Sequence, residues 1–180
     1  MPDRPEPTAG RCGESWNVSV TLALPSASGP AAPRLVIGIG NPSRGDDAIG
    51  PIAIERLEAL GLPNVVLLTD FQLQVEHALD LLGASEVYFI DASVACTAPF
   101  ALSALAPAAD ATATTHELSP AAVLETCRRL SPGPLPPAWV LAVRGYEFAL
   151  GAPLSPPAAA NLDAALETLL ERLFGAARYA

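Results

Sequence analysis

The sequence has no lysine; all ten of its basic residues are arginine. That absence excludes Schiff-base chemistry, a Walker-type phosphate loop and a serine–lysine catalytic pair. Cysteine is scarce as well: Cys12, Cys96 and Cys127 lie far apart and form no CxxC pair, so neither a zinc knuckle nor a dithiol redox motif is available. A reduced, cytoplasmic protein is the expectation. Positive charge is in deficit, and the formal net charge of −9 argues against binding nucleic acid through a basic surface or docking on anionic lipid. Residues 92–109 are uncharged, but Pro99 and Pro107 interrupt them, so they read as irregular structure with a short strand rather than a membrane span. The first residues carry acids and prolines where a secretory signal needs a basic start and an apolar run. G-x-S-x-G and H-E-x-x-H are both missing, which removes the serine nucleophile elbow and the zinc-peptidase helix.

What is present is a regular alternation of strand and helix patterns. The 180 residues suffice for one domain with a substantial core. Residues 1–32, rich in Pro, Ala, Ser and Gly, read as a flexible leader in which "WNVSVTLAL" could hide a strand, and residues 33–180 read as a single α/β domain. Leu35–Gly40 is a continuous apolar strand, followed by a helix with Ile49, Ile52, Ala53, Leu57 and Leu60 on one face and Pro51 in its first turn. "NVVLLTD", "VYFIDA" and "AWVLAVRG" are further strands, the last with Trp139, Val140 and Leu141 buried. "VEHALDLLG" is a second helix, on whose surface His77 is expected to lie. Ser119-Pro120 and Ser155-Pro156 cap the third and the final helices. Such alternation predicts a mainly parallel sheet covered by helices on both faces.

The loop after the first strand, "GNPSRGDDAIG", turns through glycines as phosphate-binding loops do, yet it places Asp46 and Asp47 where a pyrophosphate would sit. The geometry suits something positive. Sites in open α/β sheets form at the carboxyl ends of the strands. Asp46 and Asp47 follow the first strand, Asp70 ends the second, Asp91 ends the third, and His116 precedes a capped helix. Two carboxylates and an imidazole can bind nickel or zinc. Each residue also has a plainer reading: Asp46 or Asp47 as an N-cap, Asp70 and Asp91 as turn residues, and His116 as a solvated or core-satisfied histidine.

"GIGNPSRGDDAIG" resembles the N-terminal signature of the nickel–iron hydrogenase maturation endopeptidases, in which Gly-x-Gly-Asn is followed after four residues by Asp, then Asp or Glu, and a glycine three residues later. Gly38, Gly40, Asn41, Asp46, Asp47 and Gly50 occupy those places. The resemblance runs through residues 34–174; "FIDA" and "THELSPAAVL" are similar to the family's metal-binding segments. It implies Asp47, Asp91 and His116 as metal ligands, with Gly38, Gly40, Asn41 and Asp46 at the substrate-binding face. "DFQLQVEHALDLL" and "VRGYEFALGAPLSP" are most similar to the branch acting on cytoplasmic, NAD-reducing hydrogenases, and suggest Glu147 and Phe148 as cleft residues. One departure stands out: many members have Asp-Gly-Gly-Thr where this chain has Asp70, Phe71, Gln72 and Leu73.

The resemblance implies a three-layer, phosphorylase/hydrolase-like α/β sandwich. It also implies a monomeric peptidase that clips the C-terminal extension of the hydrogenase large-subunit precursor once nickel is in place. Nickel travels with the precursor and is shared with the enzyme, and Asp70 is the candidate base for attack by water. Three other readings stay in view. A peptidyl-tRNA hydrolase shares "GIGNP" but needs a downstream histidine and a basic face. A non-enzymatic nickel-binding domain would use the same ligands. A dinucleotide domain would need a glycine in place of Ser43. Arg44 is expected to pair with a loop carboxylate, and Cys96 to be a small buried thiol near Asp91.

Overall fold

The computed structural model describes residues 31–110 and 118–175. The expected leader, with its candidate strand, lies outside them but for residues 31 and 32. Ala31–Ala180 form one compact unit.

Among the described residues ten elements follow one another. These are β1 (Arg34–Ile39), a 3-10 turn (Gly45–Ala48), α1 (Ile49–Ala59), β2 (Val65–Asp70), α2 (His77–Asp80), β3 (Glu86–Ser93), β4 (Phe100–Ala104), α3 (Pro120–Leu130), β5 (Ala138–Arg144) and α4 (Pro156–Phe174). The strands form one sheet in the order β2-β1-β3-β5-β4. All neighbours are parallel except β4, which runs antiparallel to β5. Residues 94–99 explain the exception. No helix separates β3 from β4, so nothing carries the chain back to the start of the sheet and it returns in the opposite direction.

Alternate residues of the central strands feed two cores. Val36, Tyr88 and Ile90 pack with α1 and α4, whereas Leu35, Ile37, Val87 and Phe89 pack with α2 and α3. The sheet is therefore covered on both faces, and the expected α/β sandwich is the observed one.

Local expectations were met unevenly. Ser119 and Ser155 each accept the N–H three residues on, with proline opening the helix, as read from sequence. Leu60, expected inside, is 52% exposed. α1 ends at Ala59, and its buried stripe is Ile49, Gly50, Ala53, Ile54 and Leu57. Trp139 and Val140 are only half-buried, while Leu141 is buried. The second helix is reduced to one turn, because His77, Ala78 and Leu79 bond to carbonyls only three residues back, in the tighter 3-10 manner.

Candidate functional site

β1 pairs with β2 through Ile39 and Asp70 and with β3 through Gly38 and Ile90. Asp70 and Asp91 therefore flank Ile39 at one level of the sheet, two strand spacings or about 10 Å apart. Between them the chain leaves β1 into the loop that carries Asp47. This is the point at which the strand order reverses, since the chain passes from β1 to β2 on one side and then to β3 on the other. Open α/β sheets place their ligands there.

Glycine is required in this corner for contact. A Cβ on Gly38 would run into the carbonyl of Gly50 and the side chain of Ile54, and one on Gly50 would strike the backbone of Ile39. Gly40 turns with φ +134°, its Cα against the carbonyl of Asp47. Gly38, expected at the substrate face, is instead buried where β1 and α1 touch. Gly40 does border the cleft described below, and its N–H donates to the Asp70 carbonyl at 3.1 Å.

The two aspartates of the loop have separated roles, and neither is an N-cap. Asp46 is fully buried. Its Oδ2 accepts from the N–H groups of Tyr146 and Glu147 at 2.7 and 2.9 Å and from the Ser155 hydroxyl at 2.8 Å, while Oδ1 accepts from Ser155 N–H at 2.7 Å. Burial pushes this carboxyl up, but those donors outweigh it and hold the pKa below the ordinary carboxylate value. Asp46 thus ties the first loop to the β5–α4 loop, which also meets it through Gly45 N–H to Ala152 O and Gly151 N–H to Ser43 O. Its expected place at the substrate face is corrected: a carboxylate with no accessible surface meets no substrate. Asp47 is half-buried at the rim and accepts from Asn41 N–H at 3.0 Å, while Asn41 Oδ1 accepts from Ser43 N–H at 2.9 Å. Asn41 thus shapes the loop's turn.

Beside this loop opens a cleft of about 360 Å³, lined by Gly40, Pro42, Pro51, Thr69, Asp70 and Phe71. Among the described residues that line it, Asp70 alone is ionisable. Asp70 Oδ1 accepts from Phe71 N–H at 2.6 Å, and Oδ2 lies 3.5 Å from Nε2 of His77. His77 was expected on a helix surface away from the strand ends. It is buried, and because its helical turn begins only seven residues past the end of β2, it folds back onto that end. A histidine only seven residues past a strand's last acid was the sequence signal for this contact.

The other expected residues fall as follows. Asp91, at the end of β3, is half-buried. His116 lies outside the described residues. Among those described, no three His, Cys, Asp or Glu side chains form a group that could hold a metal. Arg44 is exposed and makes no ion pair among the described residues, so the loop is held by Asp46 and the backbone instead. Glu147 is engaged with the loops through its backbone and accepts from Ala149 N–H. Cys96 is half-buried, its Sγ 3.5 Å from the carbonyl of Ala142. No described helix is long and apolar enough to cross a membrane.

No protein-family model matches the chain, and no curated protein matches it significantly. Solved structures do. The hydrogenase maturating endopeptidase HybD from E. coli is 25% identical, with 78% of this chain and 91% of that one covered at a TM-score of 0.63. An endopeptidase from Escherichia coli known in solution is 26% identical over 78% and 91% at 0.60. The [NiFe] hydrogenase maturation protease HycI from Thermococcus kodakarensis shares the fold at 22% identity, 79% and 92% coverage and a TM-score of 0.63. The likeness supports a peptide hydrolase. In this chain the carboxyl ends of β1 and β2 and the end region of β3 carry Asp47, Asp70 and Asp91.

Proposed function

We propose that this protein is an endopeptidase that removes the C-terminal extension of a nickel–iron hydrogenase large-subunit precursor after nickel insertion. The observation that carries the reading is the placement of Asp70 and Asp91 on either side of Ile39, at the switch point of a sheet shared with hydrogenase maturation endopeptidases. The similarity of "DFQLQVEHALDLL" to the branch acting on NAD-reducing hydrogenases extends it to a cytoplasmic, monomeric enzyme.

In this reading the nickel ion belongs to the precursor. Asp47 and Asp91 offer carboxylate oxygens and His116 an imidazole, a donor set suited to a borderline divalent ion. They take up positions left open by the precursor's own ligands, so that only a nickel-loaded precursor is held well. Cleavage is hydrolysis. Water attacks the peptide carbonyl, Asp70 accepts the water's proton, the C–N bond breaks, and the proton passes to the departing amine. The open cleft beside Asp70 admits the extended tail.

The test is a mass-spectrometric processing assay on cognate precursor prepared with and without nickel. Loss of a C-terminal fragment from the nickel-loaded precursor alone is the expected result. Failure to cut either form, with a proven member cutting its own precursor in parallel, overturns the reading in favour of a nickel-binding domain without peptidase activity.

A further inference from the structure

Among the described residues His77 is one of four buried polar or charged ones, and unlike Asp46 it belongs to no loop-to-loop hydrogen-bond network there. Its neighbours make the burial notable. Val75 is 60% and Leu79 58% exposed, while the histidine between them is 8% exposed. Hydrophobic sorting alone would give the opposite arrangement. Something polar holds the ring inside.

The ring's two nitrogens face different groups. Nδ1 lies 2.9 Å from the backbone nitrogen of Gln74, whose N–H can only donate. A ring nitrogen that accepts carries no proton, so the neutral imidazole holds its hydrogen on Nε2. The longer approach of Nδ1 to the Gln74 carbonyl, 3.3 Å, is subordinate to that contact. Nε2 is the nitrogen that stands 3.5 Å from Asp70 Oδ2, while Oδ1 is held by Phe71 N–H. Each oxygen of Asp70 is therefore faced by a nitrogen donor fixed in the framework. The separation is a few tenths of an ångström longer than a good hydrogen bond, and contacts of this kind shorten when substrate fills a site.

We propose that His77 is a positioning residue for Asp70, its Nε2–H fixing the carboxylate at the angle from which it serves the cleft. The Gln74 N–H in turn fixes the ring. His77 itself lies beneath the cleft wall and touches no substrate. The proposal deepens the endopeptidase reading and rests on it.

Two isosteres separate this role from a merely structural one. In His77→Asn the side-chain oxygen can still accept from Gln74 N–H, but nothing reaches Asp70. In His77→Gln the longer amide can donate to Asp70, but the contact to Gln74 is lost. Wild type, Asp70→Asn and both His77 variants are assayed on nickel-loaded precursor, with thermal unfolding followed in parallel. The expected result is a fall in kcat of about tenfold or more for His77→Asn at little changed KM and Tm, with His77→Gln recovering most of the loss. A His77→Asn enzyme as fast as wild type, or a His77→Gln enzyme slower than His77→Asn, overturns the proposal. So does full activity in Asp70→Asn, which removes the group being positioned. A wild-type protein that cuts nothing overturns the endopeptidase reading itself, a different outcome.

Discussion

The Ser155 hydroxyl joins Asp46 to the start of α4: it donates to Asp46 Oδ2 at 2.8 Å and accepts from Ala158 N–H at 3.4 Å. One side chain thus caps the last helix and serves the buried acid of the first loop. Ser119 caps α3 in the same Ser-Pro manner, but its hydroxyl donates to Asp110, which is only half-buried. The two serines should therefore differ on removal. Ser119→Ala loses a cap, about 1 kcal/mol. Ser155→Ala also leaves a buried carboxylate short of a donor and should cost about 2–3 kcal/mol. Chemical denaturation of the two variants, compared at equal m-value, checks the order.

Asp46 should give the protein an acid-sensitive joint. Its folded pKa lies below the ordinary carboxylate value, so folding favours the ionised form. The stability it contributes is complete above the unfolded-state pKa and is lost as pH falls through the folded value. In Asp46→Asn the amide nitrogen must point at N–H or O–H donors whichever way it turns, at a cost of about 2–4 kcal/mol. Unfolding free energies measured from about pH 6 down to about pH 3 should show a steeper decline in wild type than in the variant, which has no carboxylate to protonate there.

The centre of the sheet was legible because β1 and most of β3 are buried on both faces and read as unbroken apolar runs, and both Ser-Pro caps carry their own signal. Three things were not. The order β2-β1-β3-β5-β4 depends on pairings between distant segments, which leave no mark in local periodicity. Asp46 and Asp47 are adjacent and chemically alike. Only the donors brought by the β5–α4 loop, a hundred residues on, turn one inward and leave the other at the rim. His77 was misplaced because a helical pattern of nine residues implied a surface position. A run of 3-10 bonds instead folds that residue back over Asp70.

Gly38 and Gly50 should be intolerant of alanine for a reason unrelated to catalysis. Each Cβ would press into the other segment's backbone, and a backbone cannot rotate aside as a side chain can. A loss of about 2–3 kcal/mol is expected for either, the upper range for overpacking a core. Gly133, where a Cβ would meet only the Ser131 hydroxyl at 3.5 Å, is the control that should accept alanine with little change. Melting temperatures of the three variants decide the point. A mild Gly38→Ala would mean that α1 can slide away from β1.

Asp70 and Asp91 sit at one level of the sheet, yet the proposed function divides their work, and that division can be measured. In that reading Asp91, with Asp47, faces the metal carried by the precursor, so Asp91→Ala should weaken capture of the nickel-loaded form and raise KM. Asp70 faces the cleft and the attacking water, so Asp70→Asn should leave capture intact and lower kcat by about a hundredfold or more, the usual scale for losing a general base. Co-purification of each variant with nickel-loaded precursor, followed by timed cleavage, reads the two effects separately. Both variants should keep the wild-type melting temperature within a few degrees, since each acid is only half-buried, unlike Asp46. If Asp91→Ala instead captured precursor normally and only cleaved it slowly, Asp91 would belong with the reacting bond. Nickel recognition would then have to rest on Asp47 and His116.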